Sequence, residues 1–161
     1  FGIFASRGQL DASVFLGGSY KNVRPDLKLK TDRWYHVAMV YEGDSLTLYI
    51  DGKPEGQLPT KSSMKRKVNG LPFIVGADPD GRGRANSFFN GEIDEIRISR
   101  GARYSKPFEP KRRLTSDQDT VIFLDCDQIV GPFLIDRGPQ GHYFRLTGDA
   151  HLTEVKEEAN Q

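Results

Sequence analysis

Three carboxylates, Glu92, Asp94 and Glu95, form a dense acidic cluster inside a strand-like segment. Retaining glycoside hydrolysis needs two carboxyl groups about 5 Å apart on one face, and alternate strand positions supply such a pair. Glu92 and Asp94 alternate in this way, but the next position on their face is Ile96, and Glu95 points to the opposite face. Because the acid/base partner is absent, we do not expect this cluster to be catalytic.

Asp94 shares its strand face with Ile96 and Ile98, so its carboxylate is expected beside apolar surface. An anion in that position must be paired, hydrogen-bonded or bound to a metal. A hard cation held by Asp94 and several backbone carbonyls would satisfy it. Backbone N–H donors or a nearby arginine would do so equally well, and the regular aspartate spacing of an EF-hand loop is missing. A cation site and a hydrogen-bonded acid therefore both stay open.

Aromatic residues indicate a recognition surface on the face opposite the predicted core. Trp34 and His36 alternate on one strand, and Tyr49 lies on its partner. Aromatic rings stack on the apolar faces of sugars and anchor protein partners. For His36 an ordinary place on the sheet surface is favoured, since no Ser, Cys or second His has the spacing of a triad or zinc site. For Trp34 burial by the second sheet or a crossing loop is favoured.

Residues 76–84 form a long polar loop with several Asp and Gly turn signals. Loops of this kind carry ligand specificity. The polar side chains in and beside this loop would hydrogen-bond a sugar or form an adaptable rim for a protein partner. They are Asp78, Asp80, Arg82, Arg84 and Asn86. Phosphate binding is not expected, because the loop lacks a Gly-Lys-Ser ending and a following helix.

The element that must position these residues is a hairpin of the runs 34–42 and 45–51. Pairing 41 with 46, 39 with 48 and 37 with 50 sets apolar side chains opposite one another, which predicts a half-buried antiparallel hairpin. One helical turn is the only helix candidate, near 102–105. Further strands are predicted near 1–5, 12–17, 26–30, 72–76, 88–99, 120–125, 142–147 and 151–155.

Composition sets the outer limits on function. With 161 residues, 37% of them hydrophobic, 17 Gly and 9 Pro, the chain suits one turn-rich sandwich with a real core. A net charge of +1 and the lack of a basic stripe interleaved with aromatics argue against nucleic-acid binding. The basic cluster within 61–67 is interpreted as a solvated loop. No segment has the apolar length of a membrane span, so no membrane insertion is expected. The single cysteine, Cys126, excludes an internal disulfide and is expected to be a packed residue.

Two segments, WYHVAMVYEGDSLTLYIDG (34–52) and FNGEIDEIRISRGARYS (89–105), resemble the laminin-G-like, concanavalin-A-like jelly-roll superfamily. The resemblance implies an all-β fold, an antiparallel two-sheet jelly-roll sandwich. The shared motifs encode strand packing and turns, so they identify the fold better than the ligand. Members include sugar-binding, adhesion and protein-interaction modules, pentraxin-like proteins and a minority of glycoside hydrolases, and function stays open.

The resemblance also bears on the acidic residues. Certain glucanases of this superfamily carry a Glu-x-Asp-x-Glu motif as nucleophile, helper and acid, and Ile96 stands where the second glutamate would be. Similar jelly-rolls hold a structural calcium with an acid at the strand position of Asp94. The resemblance therefore implies calcium as a cofactor, with Asp94 as a ligand and Asp136 as a weaker second one.

The C-terminal segments 120–125 and 135–148 resemble the opening strands of the same family, with Arg137 in place of the serine of its Asp-x-Ser-Gly turn. Either a second jelly-roll begins here and is cut off, or these strands fold back and complete the first sheet. Folding back is favoured, because unpaired strands would expose edges and apolar faces. We expect a single jelly-roll domain over 1–155 that lacks early strands, and a polar tail over 156–161.

These observations predict a non-catalytic module that binds a carbohydrate or a protein partner. The chain begins at Phe1 in what reads as a strand already under way, without an initiator Met, so it is expected to be covalently part of a larger polypeptide. We also expect an extracellular, cell-surface or periplasmic setting. The alternatives are a structural subunit of a larger complex and, less favoured, a glycoside hydrolase.

Overall fold

A computed structural model describes residues 1–60 and 70–154. Within them the chain forms antiparallel strands and no helix, which confirms the all-β prediction. None of the described segments is a helix with the length and hydropathy of a membrane span. The strands are β1 (Gly2–Ser6), β2 (Gln9–Leu16), β3 (Ser19–Val23), β4 (Val37–Glu42), β5 (Ser45–Ile50), β6 (Lys53–Pro59), β7 (Asp78–Pro79), β8 (Ala85–Asn86), β9 (Ile96–Ser99), β10 (Thr120–Val130), β11 (Phe133–Asp136) and β12 (Tyr143–Arg145).

The described residues group into two compact units. The first draws on residues 1–91 and 101–111, and the second on 92–100 and 112–154. The expected single domain over 1–155 stays a prediction. The basic cluster within 61–67 and the polar tail over 156–161 lie outside the described residues.

In the first unit, two three-stranded sheets, β1-β2-β3 and β4-β5-β6, share one apolar core. The β4–β5 register pairs Tyr41 with Leu46, Met39 with Leu48 and Val37 with Ile50, as the hairpin pattern predicts. Because side chains alternate between faces, one face of each sheet is apolar and meets the other. Burial of each large aliphatic side chain contributes about 1.5–3 kcal/mol. The buried members are Leu10, Ala12, Val14, Leu16, Val23, Leu46, Leu48 and Ile50.

The segment 101–111 is attached to the end of this hairpin at Gly52. The Phe108 N–H donates to the Gly52 carbonyl oxygen at 3.0 Å. Gly52 has φ +75°, and a Cβ on it would lie 1.8 Å from the Phe108 oxygen, so the contact requires glycine. Tyr104 and Phe108 thereby reach the outer face of β5, where their rings stack at 3.6 Å and pack against Tyr49.

The second unit is a four-stranded sheet in the order β12-β11-β10-β9. Strand β9 precedes the others by some twenty residues of chain and pairs with β10, placing Ile98 opposite Ile122 and Ile96 opposite Leu124. The C-terminal strands therefore pair with β9 in a sheet of the second unit, and the expectation that they complete the first sheet stays a prediction.

A buried carboxylate holds the turn after β11. Asp136 is only 3% exposed. Its Oδ1 accepts hydrogen bonds from the N–H groups of Phe123 (2.8 Å) and Gly138 (2.7 Å), and its Oδ2 accepts from the His142 N–H (3.2 Å) and lies 2.8 Å from His142 Nδ1. Because a carboxylate only accepts, His142 Nδ1 carries the proton of that bond. Burial by itself raises the pKa of Asp136, but the Phe123 N–H, the imidazole and the remaining N–H groups together lower it below its ordinary value.

Several predicted elements differ from the structure. Of the long strand expected over 88–99, only Ile96–Ser99 forms, because Glu95 has φ +42° and the Asp94 side chain accepts from its N–H, which breaks the ladder. No strand forms at 26–30, 72–76 or 151–154, and the segment 102–105 makes bends without a helical turn. The sequence prediction missed β3 and β6, which are largely polar, the four-residue strand β11, and the two-residue strands β7 and β8.

We predict that Gly52→Ala destabilises the first unit by about 3 kcal/mol, since it adds both a positive-φ penalty and an overlap with Phe108. Gly43→Ala is the matched control, because Gly43 also has positive φ but its Cβ would meet nothing within 4 Å. It should cost only about 1 kcal/mol. Urea unfolding of both variants measures the difference, and equal costs would contradict the close contact.

Asp136→Asn should destabilise the second unit by about 2 kcal/mol or more at pH 7, since the amide cannot accept from every donor of the turn. The folded pKa of Asp136 is lowered, so the unfolded chain takes up the proton first as the pH falls. The stabilisation is full above the unfolded value of about 3.9 and is lost as the pH falls through the folded value.

The check is urea unfolding of the native chain and the variant between pH 7 and pH 2. The native chain should lose more free energy of unfolding than the variant over the acid part of this range. Asp149→Asn, an exposed carboxylate of the same unit, should change stability at pH 7 by less than about 0.5 kcal/mol. Parallel acid profiles for the native chain and Asp136→Asn would show that this carboxylate does not carry the effect.

Candidate functional site

A groove of about 200 Å³ lies on the outer face of the β4-β5-β6 sheet, within the first unit. The strand alternation that sends Leu46, Leu48 and Ile50 into the core sends the intervening residues to this face. The segment 101–111, held at Gly52, closes one end of the groove with Tyr104 and Ser105. The other lining residues are Val40, Glu42, Asp44, Ser45, Thr47, Tyr49 and Gln57.

The chemistry of the lining changes along the strands. Glu42 and Asp44 stand at the β4–β5 turn, and Tyr49 and Tyr104 stand at the opposite end. The four-residue step from Ser45 to Tyr49 spans about 13 Å at the rise of a strand. Hydroxyl and amide groups occupy the middle. The groove therefore runs from an acidic end through a polar floor to an aromatic end.

The polar floor offers hydrogen-bonding groups to a ligand. Thr47 and Gln57 are register partners, and Gln57 Nε2 donates to Ser45 Oγ at 2.8 Å. Thr47 is 8% exposed as a residue, and its hydroxyl is among the groups that line the groove. A ligand hydroxyl at this point of the groove would both donate to and accept from the Thr47 hydroxyl.

The predicted aromatic face of Trp34, His36 and Tyr49 forms only in part. Tyr49 is 4% exposed, because Tyr104 and Phe108 cover it, and its hydroxyl donates to the Tyr104 oxygen at 3.5 Å. It therefore offers no open ring face, which corrects its assignment as a stacking platform. His36 is half-buried with its ring edge-on to Phe108 at 5.4 Å. Trp34 is 48% exposed, so its favoured burial is wrong, and ligand binding by Trp34 or His36 stays a prediction.

The predicted loop residues lie on a two-stranded ribbon. Asp78 pairs with Asn86 across β7 and β8, and Asp80 organises the connecting turn. Asp80 Oδ1 accepts from the N–H groups of Arg82 (2.8 Å) and Arg84 (2.9 Å), and its Oδ2 accepts from Arg84 Nε at 2.9 Å. Those bonds, led by the Arg84 N–H, hold the pKa of Asp80 below its ordinary value. Asp80 thus shapes the turn, and ligand binding by the five residues of the ribbon stays a prediction.

The predicted calcium ligands do not fit a shared site. Asp94 is exposed, outside any strand and not on a face with Ile96, and its Oδ1 accepts from the adjacent Glu95 N–H. Both oxygens of Asp136 are occupied by the N–H donors of its turn. Among the residues that the structure describes, no three His, Cys, Asp or Glu side chains are placed to hold a metal. Calcium binding by Asp94 together with backbone carbonyls stays a prediction.

The acidic cluster around Asp94 is likewise divided. Glu92 is exposed and accepts from the Thr153 hydroxyl at 3.5 Å, whereas the Glu95 side chain is 10% exposed and accepts from the Leu114 N–H at 2.8 Å. Arg113 Nη1 lies 3.3 Å from Glu95 Oε1. The well-buried acid of this segment is therefore Glu95 and not Asp94. Nearby, burial and then the Asp94 charge raise the pKa of the Cys126 thiol, which disfavours a reactive thiolate.

Sequence reasoning missed the groove, although part of its signal was present. The hairpin register that identifies the core also places Val40, Glu42 and Thr47 together on the opposite face. Because these three side chains are apolar, acidic and hydroxylic, they indicate an ordinary solvated sheet face. Tyr104 and Ser105 join them through the contact at Gly52, a tertiary feature with no local sequence pattern.

The laminin G family model, described as the concanavalin A-like lectin/glucanases superfamily, matches residues 1–106 of the 161. The matched span includes every residue that lines the groove. No curated protein and no solved structure matches the chain significantly. The paired antiparallel sheets of the first unit are the architecture expected for this superfamily. On the family match and the fold together, the chain belongs to the laminin-G-like branch of the concanavalin A-like lectin/glucanase superfamily.

Proposed function

We propose that the protein is a non-catalytic binding module that recognises carbohydrate in the groove on the outer face of the β4-β5-β6 sheet. The observation that carries the proposal is the row of hydroxyl and amide groups of Ser45, Thr47 and Gln57 along the floor of the groove. Sugars supply hydroxyl groups that both donate and accept, which matches Thr47, Ser45 and Gln57. Membership of a superfamily that includes lectins supports the same function.

The dimensions of the groove favour the end of a short saccharide. Its volume of about 200 Å³ is below the roughly 300–1,000 Å³ of pockets for drug-sized ligands. The floor residues Val40, Thr47 and Tyr49 are buried and fixed by strand register. Binding therefore requires little ordering of the protein, which reduces its entropic cost.

A protein partner is the second candidate, and a different surface favours it. Phe88 is 73% exposed directly after the β7–β8 ribbon, and Phe73 and Phe89 are also exposed. Exposed aromatic side chains are typical of protein-interaction surfaces. Retention of a partner in pull-downs despite excess free sugar would support this candidate.

The setting proposed for either function is a larger secreted or surface protein, in an extracellular, cell-surface or periplasmic location. Binding to extracellular glycans is the role that connects the groove with this setting. A structural subunit of a larger complex is the alternative. It predicts that no groove substitution alters any binding measured with isolated glycans.

Thr47→Val keeps the β-branched shape of residue 47 and removes only its hydroxyl. We expect the variant to bind oligosaccharides selected on a glycan array about tenfold more weakly, because one hydrogen bond is worth about 0.5–1.5 kcal/mol. Stability should change by less than about 0.5 kcal/mol, since the substitution keeps the β-branched shape of a residue on the outer face of the sheet. Isothermal titration and urea unfolding measure the two effects.

Thr153→Val serves as the control, because Thr153 is exposed in the second unit and outside the groove. It should leave saccharide binding unchanged. Undiminished binding by Thr47→Val would place the saccharide elsewhere on the molecule.

We also expect no hydrolysis of β-glucans. Glu92 and Glu95 lie in different environments, and Glu95 is held by the Leu114 N–H and Arg113, so neither is free to act with the other as a catalytic pair. Reducing-sugar release from β-glucan by the native chain should equal that of Glu92→Gln. Turnover by the native chain that Glu92→Gln abolishes would contradict the non-catalytic function.

A further inference from the structure

We propose that the groove selects a sugar bearing a free, positively charged amino group, such as glucosamine, and binds that ammonium group at the Glu42–Asp44 end. This inference rests on the proposed function and specifies its ligand class. Two features carry it: the sign of the charges that line the groove, and the order of chemical groups along it.

Both charged residues of the lining, Glu42 and Asp44, are acidic. Neither side chain forms an ion pair or hydrogen bond with the described part of the chain, unlike Asp11, Asp51, Asp80 and Asp125, each of which pairs with an arginine. Two carboxylates at one end of a groove attract a cation and repel an anion. The groove therefore disfavours uronic, sialic and sulfated sugars.

The order of groups fits an amino sugar more closely than a simple cation. An ammonium group offers three N–H donors to the two carboxylates. With that group at the Glu42–Asp44 end, the sugar hydroxyls lie over Thr47 and Gln57. The apolar side of the sugar is then directed toward the aromatic end at Tyr104. An alkali-metal ion or a simple amine would use the acids alone and make no contact with the hydroxyl and amide groups of the floor.

The test is titration of the full chain with a β-1,4-linked glucosamine oligosaccharide and with its fully N-acetylated form at pH 6. Acetylation removes the charge and leaves the ring hydroxyls in place. We expect the glucosamine oligomer to bind at least tenfold more tightly, because hydrogen bonds to charged groups exceed neutral ones. Its affinity should fall as salt rises, and that of the acetylated oligomer should not.

The double variant Glu42→Gln and Asp44→Asn should abolish the preference, so that the two oligomers bind it with equal affinity. Glu55→Gln is the matched control, because Glu55 is an exposed acid on β6 outside the groove, and it should keep the preference. The salt dependence of the native chain tests the same inference without any variant.

The failures are distinguishable. Equal, salt-independent binding of both oligomers would overturn the amino-sugar inference and keep carbohydrate binding in the groove. A preference that survives the double variant would also overturn it, by placing the ammonium group elsewhere. Binding of no saccharide on the array would overturn the inference together with the proposed function.

Discussion

The close approach of Gly52 and Phe108 is the constraint on which the site depends. A side chain at residue 52 would overlap the Phe108 oxygen, so the absence of a Cβ allows segment 101–111 to dock against the end of the hairpin. That docking covers Tyr49 with Tyr104 and Phe108, and it closes the aromatic end of the groove. Without it, the outer face of the β4-β5-β6 sheet would be an open surface with no end wall.

The two-residue period of a strand gives the same hairpin two roles. Leu46, Leu48 and Ile50 pack against β2, and the residues between them line the groove. Because one register sets both faces, the core that stabilises the unit also fixes the spacing of the ligand-binding groups. A one-residue slip would turn Thr47 toward the core and its apolar neighbours outward, so folding and the arrangement of the floor depend on the same register.

The sequence predicts what local periodicity determines and fails where backbone strain or a distant contact decides. The hairpin register follows from alternating apolar residues, and the structure confirms it. The strand over 88–99 is overextended because the positive φ of Glu95 leaves no trace in the apolar pattern. The same kink exposes the Asp94 side chain and buries the Glu95 side chain, which is the reverse of what the apolar pattern predicts. The groove could not be predicted, because Tyr104, which lines it, lies some fifty residues further along the chain than Tyr49 of the hairpin.

Charge in this chain is organised locally, which explains why its near-neutral total says little about its ligands. Several acids outside the groove are used within the fold: Asp136 accepts the N–H donors of its turn, and Asp80 and Glu95 engage arginines. Glu42 and Asp44 are exposed, and the described residues offer them no such partner. In the proposed function, the floor of the groove, which strand register holds fixed, selects the shape of the ligand. The acidic end at Glu42 and Asp44 selects its charge.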